Sequence, residues 1–240
     1  MNIFAIGDIH GCLGELISLH KKILTHDKFD VKNDLIIYLG DYIDRGRDSK
    51  GVIDQIIKLQ KNNIRTINLM GNHDEFMIDF LFNKKNNIEN WLNFGLDQTI
   101  RSYGIEVVDF IKDGFSDDII DDLRNIFLEK MGEEHANFFR NLELSFTLEK
   151  YLFVHAGIDP KKKLEDQSKK DFLWSRSREF FHKDFKAEKI IVHGHTPEPN
   201  TVNDLYRINI DTGCYFSGKL SGVCLRSDDD SRVFMSNLSK

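Results

Sequence analysis

Five times along this chain an apolar run of strand length ends in a glycine-flanked cluster of Asp, Asn or His. Ile3-Phe4-Ala5-Ile6 leads into Gly7-Asp8-Ile9-His10-Gly11, and Leu35-Ile36-Ile37-Tyr38-Leu39 leads into Gly40-Asp41-Tyr42-Ile43-Asp44-Arg45-Gly46. The same layout returns at Gly71-Asn72-His73-Asp74, His155-Ala156-Gly157 and His193-Gly194-His195-Thr196. Glycine lets the backbone turn sharply at a strand end, so side chains far apart in sequence can converge above one sheet edge. Five of the nine histidines fall in these clusters, which chance placement does not explain. Asp, Asn and His at converging strand ends are the ligand set of a two-metal hydrolytic centre.

The spacing between the clusters predicts how the chain reaches that edge. Residues Cys12 to Leu24 carry Leu13, Leu16, Ile17, His20 and Leu24 at helical spacing, and Ser49 can cap a helix bearing Val52, Ile53, Ile56, Ile57 and Leu59. Ile64 to Met70 supplies a third strand. This βαβαβ order implies parallel strands with right-handed crossovers. Residues 75–142 show helical spacing around Phe76–Phe82 and Ile119–Phe127 and no strand run, which predicts a helical insertion or cap. Beyond it, Leu144–Leu148 and Tyr151–His155 read as a hairpin across Glu149-Lys150, and Ile190-Ile191-Val192 as a further strand. The tail reads as short antiparallel strands around Leu205–Ile210, Lys219–Arg226 and Arg232–Ser236, with Asp228-Asp229-Asp230 in a turn. One domain over residues 1–240 is expected.

Bulk properties exclude some partners. A hydrophobic share of 40% supports a substantial core, and the net charge of −6 argues against non-specific nucleic-acid binding. Cys12, Cys214 and Cys224 lie far apart with no CxxC pair, so neither a zinc knuckle nor a disulfide framework is indicated. The apolar stretch before Asp8 is too short for a signal peptide or a membrane span, which makes a cytoplasmic enzyme the expectation.

The set GDIHG, GDYIDRG, GNHD, HAG and GHT resembles the phosphoprotein phosphatases of the calcineurin-like metallophosphoesterase superfamily, especially their compact bacterial members. Asp211-Thr212-Gly213 matches a further element, so the resemblance spans nearly the whole chain. It implies an α/β sandwich of two mixed β-sheets flanked by helices, with metals at the strand ends. It also implies that Asp8 and His10 bind a first metal, that Asp41 bridges, and that Asn72, His155 and His195 complete a second site. The residue chemistry agrees: a carboxylate has two oxygens with which to bridge, and neutral imidazoles favour Mn²⁺, Fe²⁺ or Zn²⁺ over Ca²⁺. Mn²⁺ is the first choice.

By the same resemblance a metal-bridging hydroxide attacks phosphorus directly and in line. His73, whose side chain diverges from that of Asn72, is the better general acid, and Asp44 matches the position that orients it. Arg45 matches a phosphate-binding arginine whose planar fork takes two oxygens. Arg176, in Leu173-Trp174-Ser175-Arg176, resembles a second one, with Arg178 as a nearby competitor, and Asn72 also faces the phosphate.

His193 is either a supporting group for His195 or a packed core residue. His20, His26, His135 and His182 carry no motif. Lys161-Lys162-Lys163 reads as a solvated loop and Cys214 as a packed thiol. Asp44-Arg45-Gly46 points to a serine/threonine protein phosphatase, extending to phosphotyrosine, with a phosphorylated protein or peptide as partner. A dinucleoside polyphosphate hydrolase is the alternative, and a non-catalytic binding module the remote one. Asp74 in place of Glu, Ala156 in place of Gly and a tail without an SAPNYC-type element set the chain apart from eukaryotic protein phosphatases.

Overall fold

In the computed structural model, residues 1–27, 29–85, 88–106, 108–111, 116–182, 184–226 and 232–238 are described. The Asp228–Asp230 turn lies outside them.

Ten strands form two five-stranded mixed sheets. The first contains β1 (Asn2–Ile6), β2 (Leu35–Tyr38), β3 (Thr66–Asn68), β9 (Ser221–Arg226) and β10 (Arg232–Ser236), in the order β10-β9-β1-β2-β3. β1, β2 and β3 run parallel, with Ile3 beside Leu35 and Ile36 beside Thr66, while β9 and β10 are antiparallel additions. The second contains β4 (Ser145–Leu148), β5 (Tyr151–Val154), β6 (Ile190–His193), β7 (Val202–Asn203) and β8 (Arg207–Asn209), in the order β4-β5-β6-β8-β7.

Period-2 alternation builds the layers. On β1 and β2, Phe4, Ile6, Ile36 and Tyr38 face a core shared with the helices, while Ile3, Ala5, Leu35 and Ile37 face the second sheet. There they meet Tyr151, Phe153, Val192 and Ile208, all fully buried. The other face of the second sheet, Leu152, Val154 and Ile191, packs on Phe180 and its neighbours. Strands covered on both faces read as unbroken apolar runs, which is why β1, β2 and β5 were visible in the sequence. Each such side chain contributes about 1.5–3 kcal/mol of burial.

Three expectations change. The helix Ser49–Lys61 is capped by Asp48, whose carboxylate accepts Gly51 N–H at 2.8 Å, and Ser49 is instead a buried first-turn residue. The third strand stops at Asn68 because the chain then turns to Glu143, with Met70 N–H bonded to its carbonyl at 2.7 Å. In the tail, β8 runs parallel to β6 and antiparallel only to β7, so it extends the second sheet.

Between β3 and β4 the described residues form helices alone: Asn72–Leu81, Ile88–Leu92, Leu96–Ser102, Val108–Ile111 and Asp117–Arg140. Gly132, at φ 70°, breaks the last of these. The segment is no loose lid, since Trp91, Leu96, Ile100 and Phe127 are fully buried in the helix-side core.

Candidate metal centre

The loops after β1, β2, β5 and β6 open onto one edge shared by both sheets, and their backbones are strained there. His10, Asp41, Asp44, Arg45 and His195 all have φ between 46° and 70°, a region costing non-glycine residues about 1–3 kcal/mol each. Bonds between loops offset the strain: Ile9 and His10 N–H donate to Asp41 carbonyl at 3.1 and 2.9 Å, and Gly11 N–H donates to Tyr42 carbonyl at 2.9 Å. Asp74 adds a further tie. Its Oδ2 accepts Asp41 N–H and Gly71 N–H, each at 2.8 Å, and its Oδ1 accepts Tyr42 N–H at 3.3 Å. Gly71 must be glycine because a Cβ would collide with the Asp41 carboxylate.

Asp41 is the hub. Its Oδ2 lies 3.4 Å from His10 Nε2 and 3.5 Å from His155 Nε2, and its Oδ1 accepts His73 N–H at 3.0 Å. A second group is tighter: Asn72 Oδ1, His155 Nε2 and His195 Nδ1 stand 2.8 to 3.2 Å apart. His155 Nδ1 lies 2.8 Å from Leu39 carbonyl and His10 Nδ1 2.8 Å from Ile43 carbonyl. A carbonyl only accepts, so in both rings Nδ1 carries the proton and Nε2 turns a lone pair toward Asp41. His155 Nε2 and Asn72 Oδ1, 3.0 Å apart, can both turn lone pairs toward a cation placed between them. The donor set therefore fits a metal pair.

Asp8 joins neither tight cluster. Both of its carboxylate oxygens lie 3.1 Å from His195 N–H, tying the first loop to the last. Burial, then the charges of Asp211 and Asp41, push its pKa well up. Asp211, at the end of β8, is pushed up to about 7, first by burial and then by Asp41. Buried carboxylates crowded in this way call for positive charge. Donors come from both sheets: Asp8, His10, Asp41 and Asn72 follow strands of the first, His155 and His195 strands of the second.

The imidazoles sort by environment. Burial lowers the pKa of His10 to about 3 and also lowers those of His155 and His195, leaving lone pairs available. His73 goes the other way. Burial alone would lower it, but the Asp41 charge and the Asp44 hydrogen bond raise it. His73 Nδ1 is 2.7 Å from Asp44 Oδ2, and its Nε2 is 4.0 Å from Asp41 Oδ2, facing the cleft. Asp44 is fully buried and also accepts Trp91 Nε1–H at 2.6 Å and Thr99 Oγ1–H at 2.5 Å.

Arg45 and Arg176 both line the cleft, a cavity of about 200 Å³ that also includes Asn72, His73 and Asp211. Arg45 Nη1 donates to Tyr215 Oη at 2.9 Å, and Arg176 Nε lies 3.2 Å from His195 Nε2. Arg178 lines a different surface hollow. His193 is a packed residue, buried against Phe180 and Phe181 with Nδ1 2.9 Å from Gly194 carbonyl. His20 and His135 pair with the hydroxyls of Tyr38 and Tyr103, each at 2.9 Å. Lys161 and Lys162 form ion pairs with Glu179 and Asp171. Trp91, Thr99 and Tyr215 sit outside the motif loops and carry no signal in the sequence.

Two mixed sheets between helices, with these donors at their shared edge, define a metallophosphoesterase architecture. The chain belongs to the calcineurin-like phosphoesterase family, whose model matches residues 1–224. It is similar to the bis(5'-nucleosyl)-tetraphosphatase PrpE [asymmetrical] of Anoxybacillus flavithermus, 29% identical over 91% of this chain and 88% of the relative. It is also similar to serine/threonine-protein phosphatase 1 of Salmonella typhimurium, 26% identical over 92% of this chain and 90% of that one. In fold it resembles the cold-active protein-tyrosine phosphatase of a Shewanella species, with a TM-score of 0.62 and 17% identity over 99% of this chain and 80% of the other.

These relatives overturn the protein-phosphatase expectation. Tetraphosphatases match at higher identity over the same span, and further ones of that name match at 28–30%. The physical reason lies in what Asp44 and Arg45 do. Asp44 bonds His73 inside the fold and Arg45 lines the cleft, so neither residue bears on which group a phosphoryl centre is attached to.

Proposed function

We propose that this chain hydrolyses dinucleoside tetraphosphates asymmetrically, releasing a nucleoside triphosphate and a nucleoside monophosphate. Asp8, His10, Asp41, Asn72, His155 and His195 would hold two divalent transition ions, Mn²⁺ first, with Fe²⁺ or Zn²⁺ as alternatives. Such a pair, when bound, supplies an activated water and neutralises phosphoryl charge. The observation that carries the reading is the full-length similarity to tetraphosphatases of this name.

The remaining roles belong to the chain. Asn72, Arg45 and Arg176 take the phosphoryl oxygens, the two guanidinium groups as planar forks. Asp44 keeps the His73 proton on Nδ1, so that Nε2 faces the cleft with the proton to be given to the leaving oxygen. Tyr215 stands next to Arg45 and Phe216 packs edge-on against Tyr215, the two rings 39% and 65% exposed with centroids 4.9 Å apart. They offer a nucleobase a stacking face that a phosphoprotein would not use.

The test is parallel kinetics of the Mn²⁺-loaded enzyme on diadenosine tetraphosphate and on a phosphoserine peptide. A higher kcat/KM on the dinucleotide, with ATP and AMP as products, is expected. Faster peptide turnover would sink the reading, and paired ADP would move it to symmetrical cleavage.

A further inference from the structure

Cys12 is the N-cap of the helix Leu13–Leu24, and Glu15 lies in that helix's first turn. A capping side chain and a carboxylate three residues later face each other across a helix start. A serine or threonine at the cap would bond the helix N–H groups, but Cys12 makes no side-chain cap bond, and its Sγ lies 3.5 Å from His10 carbonyl. Cys214, 2% exposed, directly follows the Asp211-Thr212-Gly213 loop and opens the short helix Cys214–Ser217. The two sulfurs and a Glu15 oxygen all lie within 4.8 Å of one another.

We infer that Cys12, Glu15 and Cys214 form a third cation site, selective for a thiophilic dication of the Zn²⁺ class and separate from the hydrolytic pair. With metal–sulfur bonds of about 2.3 Å, two thiolates on a tetrahedral ion stand about 3.8 Å apart, so modest side-chain rotation closes the site. The ion displaces both thiol protons as the bonds form. Cys12 and Glu15 are partly exposed, which leaves a fourth position for water. Donor softness separates the two centres: the hydrolytic pair offers only nitrogen and oxygen, this site two sulfurs. Its position also gives it leverage. Cys12 is two residues after His10, and Cys214 adjoins Tyr215, whose ring centroid lies 5.4 Å from that of His10.

The test titrates Mn²⁺-loaded protein with Cd²⁺ under reducing conditions and follows the thiolate-to-cadmium ultraviolet absorption, with thiol-reagent counting in parallel. One Cd²⁺ per chain should develop the band with the amplitude of two thiolates and protect the partly exposed Cys12 from thiol reagent. Cys12→Ser and Cys214→Ser should abolish the band, Cys224→Ser should retain it, and Glu15→Gln should weaken cadmium binding by at least roughly 10-fold, as loss of a supporting group does. Should Cys214→Ser fail to fold, a band of two-thiolate amplitude per Cd²⁺ in the unaltered and Cys224→Ser chains gives the same readout. No band in the unaltered protein, a band surviving Cys214→Ser, or two thiols lost to a disulfide without cadmium protection would overturn the inference. None of these outcomes depends on which phosphate ester the enzyme cleaves.

Discussion

His73 Nδ1 and Asp44 Oδ2 stand 2.7 Å apart, buried, and Trp91 Nε1 holds that same oxygen at 2.6 Å. The contact fixes where the imidazole proton sits, because an ionised carboxylate can only accept. It also persists when Asp41 is committed to cations, so it becomes the main support for a protonated His73. Asp44→Asn should therefore lower the pKa of His73. An acid acts only while protonated, so activity falls as pH rises through that pKa. In the variant the alkaline fall should come at lower pH, visible in kcat against pH; an unmoved limb would refute the pairing.

His73→Asn should discriminate between leaving groups. An alkoxide needs a proton to leave, whereas a phosphate oxygen, with a second pKa near about 6, leaves well without one. Loss of a general acid costs about 10²–10⁴-fold, and the larger loss should fall on a simple alkyl phosphate, the smaller on diadenosine tetraphosphate. Equal losses on both would show that His73 does something other than protonate.

Phe216→Ala should raise KM for diadenosine tetraphosphate and leave KM for p-nitrophenyl phosphate unchanged. A stacked base contributes about 1–3 kcal/mol, roughly 5- to 150-fold. Parallel changes on both substrates would place Phe216 in the general architecture of the cleft and not in base recognition.

Asp74→Asn keeps the size of the side chain but replaces one acceptor oxygen with a donor that faces backbone N–H groups. Because Asp74 ties Asp41, Tyr42 and Gly71, the change should destabilise the fold by about 1–3 kcal/mol and loosen the metal loops. Thermal denaturation and Mn²⁺ affinity would both fall; an unchanged melting temperature would show the tie to be dispensable.

Metal binding should release protons at neutral pH. Without cations Asp211 holds its proton up to about pH 7, and Asp8 is also raised well above an ordinary carboxylate. Mn²⁺ must displace those protons, so calorimetric heats should depend on the buffer's ionisation enthalpy below pH 7 and depend on it less as pH rises through the Asp211 range. Heats independent of buffer throughout would contradict the carboxylate crowding.

How much the sequence disclosed follows from how local each signal was. Asp8, His10, Asp41, Asn72, His155 and His195 were legible because each sits just beyond an apolar run and within two residues of a glycine. The parallel β1-β2-β3 order was legible for the same reason. Trp91 and Thr99, which hold Asp44, were not, since they arrive from a helical segment about fifty residues later that carries no motif. Asp48, and not Ser49, caps its helix because Ser49's hydroxyl is spent on Asp44 N–H and Thr99. The protein-phosphatase expectation failed because the motifs cluster around the candidate metal centre, while exposed groups such as Tyr215 and Phe216 carry no motif.

The donors are split between sheets, with His155 and His195 on one and the rest on the other, and they meet only if Tyr151, Phe153 and Val192 seat correctly against Ile3, Leu35 and Ile37. Cofactor affinity in this protein is therefore a gauge of interlayer alignment. A methyl group removed from that interior, far from any reacting atom, would show itself first as weakened metal binding and only afterwards as a lower melting point.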